Sequence, residues 1–160
     1  MGTAANQSSN SISYSAGDFE FAIVAARYND DIVEALVDAA RANWRRHGGT
    51  DAALRVEHVP GAFELPLAAR ALAALGQYDA IVALGCIIRG DTAHFEYVAG
   101  ECAHGLQRVM LDSGVPVSFG VLTVETRTQA LERARPDSLN KGGEALDTAL
   151  AMASLLRRLK

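Results

Sequence analysis

Six consecutive residues, Arg89-Gly90-Asp91-Thr92-Ala93-His94, bring together the groups that a phosphate-handling, proton-moving site requires. They follow an unbroken apolar run, Ile81-Val82-Ala83-Leu84-Gly85-Cys86-Ile87-Ile88, and precede a segment with helical spacing. A helix that starts there leaves N–H groups near Asp91, Thr92 and Ala93 without intrahelical acceptors, and such groups favour an anion. His94 falls in the first turn, where an imidazole can exchange protons near neutral pH. It reads equally well as structural. Arg-Gly-Asp also matches an adhesion tripeptide, but that use needs a protruding flexible loop, and this one is clamped between strand and helix.

Two other segments carry groups of chemical interest. In Val59-Pro60-Gly61-Ala62-Phe63-Glu64-Leu65-Pro66, Glu64 either complements a helix dipole or accepts hydrogen bonds from ligand hydroxyls and amines. Phe63 reads as core unless a ring ligand lies beside it. In Arg27-Tyr28-Asn29-Asp30, Tyr28 offers a flat face to an aromatic ligand or closes the edge of a core. That turn is not the glycine-rich loop of a dinucleotide site. Asp30 and Asp31 resemble a receiver's acids, but the third strand ends in Ile88-Arg89 with no aspartate to phosphorylate. Capping and charge-complementing the next helix is their simpler role. Arg133 and Lys141 are surface charges unless they anchor the same phosphate, and His47, His58 and His104 read as structural.

The elements that must position these groups follow from periodicity. A run without alternation suits a strand covered on both faces, as in a parallel sheet. Phe19–Ala26 reads as the first strand, Leu54–Val59 as the second, Ile81–Ile88 as the third and Val115–Leu122 as the fourth. Helices are expected from Asp30 or Asp31 to Gly48-Gly49, from about Phe63 to Leu75, and from about Ala93 to Leu111. Two more are expected near Thr128–Ala134 and from about Gly142 to Leu159. Pro66 is tolerated because it falls in a first turn. Strands alternating with helices make right-handed βαβ units. The expected fold is a flavodoxin-like three-layer α/β/α sandwich around a four-stranded parallel sheet. Ligands of such folds bind at the carboxyl ends of the strands.

The 160 residues suit one domain with a sizeable core. Net charge is −4, with Lys and Arg scattered, which disfavours nucleic acid. Cys86 lies in an apolar strand and Cys102 in a helix, without metal or disulfide spacing, so a reducing, cytoplasmic setting is expected. Residues 1–17 are rich in Ser, Asn and Ala and resemble neither a signal peptide nor a membrane anchor. They read as a flexible tail, or as an arm that pairs with a neighbouring subunit, ahead of a single domain over residues 18–160.

Read together, several ordered segments resemble lumazine synthases, which catalyse the penultimate step of riboflavin biosynthesis. They are Ala26-Arg27-Tyr28-Asn29, Val59 to Pro66, Leu84 to Phe95, Phe119-Gly120-Val121-Leu122-Thr123, and Glu132-Arg133-Ala134 before Asn140-Lys141-Gly142. The resemblance runs from about Phe19 to the C-terminus. It implies condensation of 5-amino-6-(D-ribitylamino)uracil with 3,4-dihydroxy-2-butanone 4-phosphate to 6,7-dimethyl-8-ribityllumazine, phosphate and water. It implies no cofactor, neither metal nor nucleotide, and no enzyme-bound Schiff base, since the substrate amine is itself the nucleophile.

By the same resemblance, His94 would shuttle protons. Arg133 and the N–H groups of Asp91 and Thr92 would hold the phosphate, and Lys141 would approach the phosphate or the pyrimidine carbonyl region. Tyr28 would lie against the pyrimidine, where the family often has Phe or Trp. Asn29 and Glu64 would bind the ribityl chain in a slot lined by Ala62 and Phe63, and Cys86, Ile87 and Ile88 would line the ring pocket. Phe119 and Arg133 would come from a neighbouring subunit, in a homo-oligomer built of pentamers. Association with riboflavin synthase and packing of twelve pentamers into an icosahedral shell also occur in the family. The short linker before Asn140 favours the 60-subunit form, while its composition and Pro136 weigh the other way. A scaffold that only stored a flavin precursor would need none of His94, Arg133 and Lys141.

Overall fold

The computed structural model describes residues 14–160. Four parallel strands form one sheet in the order β2-β1-β3-β4: β1 is Phe21–Ala26, β2 Leu54–Val59, β3 Ala80–Ile88 and β4 Val117–Val124. The helices are α1 (Asp30–Arg46), α2 (Leu65–Ala74), α3 (His94–Ser113), α4 (Arg127–Ala134) and α5 (Lys141–Arg158). The expected three-layer α/β sandwich is the fold observed.

Strand side chains alternate between two cores. Phe21, Ile23, Ala25, Val82, Leu84 and Cys86 pack under α1, α4 and α5, whereas Ala22, Val24, Ile81 and Ala83 pack under α2 and α3. All six residues of β1 and the first seven of β3 are buried, because these strands are central and covered on both faces. Edge strand β2 buries only Leu54 fully. That contrast is why β1 and β3 read as continuous apolar runs and β2 alternates. Trp44 of α1 fills the first core against Phe21, at 4.9 Å between ring centroids, and its Nε1–H donates to the Thr50 carbonyl at 2.8 Å.

β3 begins one residue earlier than expected, at Ala80, and β1 and β4 differ from the sequence expectation for local reasons. β1 begins at Phe21 rather than Phe19, because Glu20 is bound to Asp79: its N–H donates to Asp79 Oδ2 at 2.8 Å and its carbonyl accepts from the Asp79 N–H at 2.7 Å. β4 runs two residues later than expected. Pro116 has no N–H for the ladder, and Thr123 and Val124 continue the pairing opposite Ile87 and Ile88. Helix α2 is preceded by a single 3-10 turn over Ala62–Glu64, and Pro66 does lie in its first turn.

Asp30 and Asp31 do not cap α1, which is a correction to the sequence reading. The capping position is Asn29, in the left-handed region at φ 58°. Asp30 Oδ1 accepts from the Asp31 N–H at 2.9 Å, and Asp31 pairs with Arg127. Both acids stay in the first turn, where they still complement the dipole. His47 and His58 have the structural settings expected of them. The His47 ring lies 2.9 Å from Asp147 Oδ1 and 3.1 Å from the Tyr14 carbonyl, and His58 lies 2.7 Å from Glu34 Oε1.

The tail reading falls, for residues 1–13, outside the described residues. Beyond them, Ala16 is buried and its N–H donates to the His47 carbonyl at 2.8 Å. Among the described residues no helix is long and apolar enough to cross a membrane.

Candidate functional site

The chain leaves β1 toward one side of the sheet to make β2, then crosses back past β1 to make β3. The switch point therefore lies between the carboxyl ends of β1 and β3, where a crevice must open because the following turns diverge. Asn29 bridges this crevice, with Nδ2–H donating to the Cys86 carbonyl at 2.9 Å. The left-handed backbone of Asn29 turns the chain sharply enough to bring its side chain back over β3, a conformation asparagine tolerates better than most residues. The β1–β2 side is closed by N–H groups of Arg27 and Tyr28, which donate to the carbonyls of Val59 and Pro60 at 2.8 and 3.2 Å.

Beside the bridge opens a cavity of about 750 Å³. Ten of the sequence candidates line it: Tyr28, Asn29, Ala62, Phe63, Glu64, Cys86, Ile87, Ile88, Thr92 and His94. They come from three strand ends far apart in sequence. Phe63 is 58% exposed and Tyr28 74% exposed. Neither belongs to the core, so the bland reading of each ring as core or core edge is corrected. Two aromatic faces at one cavity mouth suit a flat, conjugated ligand. With Asn29 Nδ2 engaged, its amide oxygen remains as an acceptor for a ligand hydroxyl, and Glu64 lines the same cavity.

At the other end of the cavity stands the start of α3. No side chain caps this 20-residue helix. The His94 N–H donates weakly to Thr92 Oγ1 at 3.4 Å and the Glu96 N–H to the Ala93 carbonyl at 3.1 Å, while the positive end of the helix dipole lies at the Gly90–Thr92 turn. His94 is exposed at that turn. Acid–base side chain and anion-favouring backbone thus lie together, as the hexapeptide suggested.

Four candidates lie elsewhere on the chain. Asp91 does not line the cavity. Phe119 is 47% exposed on edge strand β4. Arg133 sits on α4, whose Ala130 and Ala134 pack into the core on the other side of the sheet from α3, and it donates to the Gln129 carbonyl at 3.1 Å. Lys141 pairs with Glu144 at 2.7 Å. The lining consequently contains no Arg or Lys. Tyr97 and Val98 also line the cavity, and sequence reasoning passed over them. Their spacing from His94, three and four residues along a helix, was the signal that could have found them.

Burial pushes the Cys86 thiol up to about 11, which favours the neutral thiol over a thiolate nucleophile. Among the described residues, no group of three or more His, Cys, Asp or Glu side chains is arranged to hold a metal ion.

A parallel sheet with a cavity at its switch point, two exposed aromatic rings in its lining and an exposed histidine at a helix N-terminus define a doubly wound α/β protein with a small-molecule site. The family model for 6,7-dimethyl-8-ribityllumazine synthase matches residues 18–157. A curated 6,7-dimethyl-8-ribityllumazine synthase from Halorhodospira halophila is 53% identical over 143 residues, covering 89% of this chain and 92% of the relative. The chain belongs to the 6,7-dimethyl-8-ribityllumazine synthase family.

Proposed function

We propose that this cavity is the active site in which 5-amino-6-(D-ribitylamino)uracil condenses with 3,4-dihydroxy-2-butanone 4-phosphate to form 6,7-dimethyl-8-ribityllumazine. The observation that carries the reading is the grouping of ten candidate residues around one cavity, with His94 and the bare N-terminus of α3 at one end and Tyr28, Phe63, Asn29 and Glu64 at the other. The pyrimidine lies against Tyr28, over Cys86, Ile87 and Ile88, and its ribityl hydroxyls meet Asn29 and Glu64 in the slot of Ala62 and Phe63. The phosphate sits at the N–H groups of Asp91 and Thr92.

The substrate amine attacks the ketone carbon, and loss of water gives the imine. A C–H proton is then removed as the C–O bond to phosphate breaks, releasing inorganic phosphate. The resulting enol becomes a ketone, the second nitrogen closes the ring on it, and a second water leaves. His94 moves protons at the imine and elimination steps. A positioned acid–base group typically gives about 10²–10⁴ in rate. Holding amine and ketone together contributes more, because this condensation needs little activation.

A phosphate dianion also needs countercharge, and the lining provides no Arg or Lys. Arg133 and the exposed ring of Phe119 complete the site from a neighbouring copy within a pentamer, and Lys141 approaches the phosphate or the pyrimidine carbonyl; a 60-subunit shell and association with riboflavin synthase would both build on that pentamer. Residues 18–160 form the single catalytic domain of a cytoplasmic enzyme.

The test is to mix the purified protein with both substrates and follow product absorbance and fluorescence against a no-enzyme control. Turnover well above the spontaneous rate is expected. Tight binding of the pyrimidine without turnover would point to a storage protein, and neither binding nor turnover would refute the assignment.

A further inference from the structure

Arg89 does not line the cavity, yet its guanidinium holds the turn that does. Its Nε lies 2.9 Å from Glu125 Oε2, just past the end of β4. Its Nη1 bonds to the Glu96 carboxylate in the first turn of α3. Cζ sits 4.3 Å from the centroid of the Phe95 ring, a cation–π contact. The Arg89 N–H donates to the Val124 carbonyl at 2.9 Å, extending the β3–β4 ladder by one bond. Glu125 is itself fixed, since its N–H donates to Gln129 Oε1 at 2.8 Å beside the capping box that starts α4.

One planar fork therefore joins the start of α4 to the start of α3. Glu96 and Phe95, its contacts on α3, follow His94 directly in the chain. The start of α3 has no side-chain cap of its own; the Glu96 N–H donates to the Ala93 carbonyl at 3.1 Å, and the His94 N–H bond to Thr92 Oγ1 is long at 3.4 Å. Both bonds are local, and Arg89 adds the side-chain tie from this turn to the end of β4. Exposed ion pairs add little to global stability, so a three-way clamp at this spot is explained better by local order than by folding energy.

We propose that Arg89 is a positioning residue, setting the place of His94 and of the anion-binding turn; the assignment rests on the function proposed above. Lysine cannot replace it fully, because a single ammonium lacks the fork that engages two carboxylates and a ring at once.

The test compares wild type, Arg89→Ala, Arg89→Lys and Glu125→Gln as full chains, by steady-state kinetics on each substrate and by backbone hydrogen exchange. A displacement of about 1 Å in a catalytic group can cost up to about 10² in rate. The expectation for Arg89→Ala is a kcat about 10-fold lower and a raised KM for the sugar phosphate. Its KM for the pyrimidine should stay within about twofold, since that substrate docks on Tyr28 and Glu64. Exchange should quicken over residues 90–97 and stay unchanged in β1 and α5. Arg89→Lys should recover part of kcat.

An unchanged kcat with unchanged exchange at 90–97 would overturn the proposal. So would equal damage to both KM values with Lys no better than Ala. Should Arg89→Ala fail to fold, Glu125→Gln removes one carboxylate at constant volume and must show the same pattern, weaker. Absence of turnover in wild type would instead sink the function proposed above, and exchange at 90–97 would then decide on Arg89 alone.

Discussion

Replacing Gly142 by alanine sets two effects of opposite sign against each other. Gly142 is the second residue of α5, and helix propensity favours alanine over glycine by at most about 1 kcal/mol there. Tertiary packing opposes the change. A Cβ on Gly142 would stand 2.1 Å from the Leu36 carbonyl oxygen and 2.8 Å from its carbonyl carbon and Cα. These atoms are α1 backbone, which cannot rotate aside as a side-chain end could. Relief requires α5 to move off α1 by about an ångström, against the contacts of Asp147 with Asn43 and His47. Overpacking of this kind costs about 1–3 kcal/mol. The net loss is about 1–2 kcal/mol, which lowers Tm by about 3–8 °C in a chain of this size.

The assay is a thermal melt at fixed protein concentration, since association would otherwise shift Tm. Gly100→Ala is the control. Gly100 lies inside α3, and a Cβ there would meet nothing within 4 Å, so this variant should gain up to about 1 kcal/mol. A Gly142→Ala protein as stable as wild type, or stabilised as much as Gly100→Ala, would refute the claim that backbone contact sets the α1–α5 distance.

Other outcomes follow from the same structure. His94→Ala should lower kcat by about 10²-fold or less and leave activity measurable in the product-absorbance assay, because positioning remains; an unchanged kcat would remove His94 from the mechanism. Ser118→Ala should be neutral or slightly stabilising in urea denaturation, because the Ser118 hydroxyl is buried under α5 without a hydrogen-bond partner. Cys86 and Cys102 are each raised by burial from 9.0 to about 11, so burial favours the neutral thiols. The stability they contribute is present in full below pH 9 and is lost as pH rises through 11, at up to a few kcal/mol per thiol. Denaturation midpoints measured across that range should fall with pH, more steeply than in a Cys86→Ala, Cys102→Ala double variant. Below pH 9, iodoacetamide should modify either thiol slowly until the protein unfolds.

Much of this protein was legible one segment at a time. The runs in β1 and β3 have no polar break because both strands are central, and the starts of α1 and α3 follow directly from where those runs stop. Doubly wound topology could be read from the alternation of strands and helices, and the ordered motifs pointed to the family. These signals are local, carried by residues within a turn or a strand of each other. The tertiary structure alone decided which groups share a space. No spacing rule places Asn29 on the Cys86 carbonyl, or Arg89 between Glu96 and Glu125, since those contacts depend on how three strand ends lie side by side. Nor could pattern tell that Phe63 stands exposed at a cavity mouth rather than in the core. Arg133 and Lys141 were nameable from the sequence as candidate phosphate anchors. Only the packing of α4 and α5 on the face opposite α3 put them out of reach of the cavity in their own chain, because a sheet covered on both sides separates whatever its two helical layers carry.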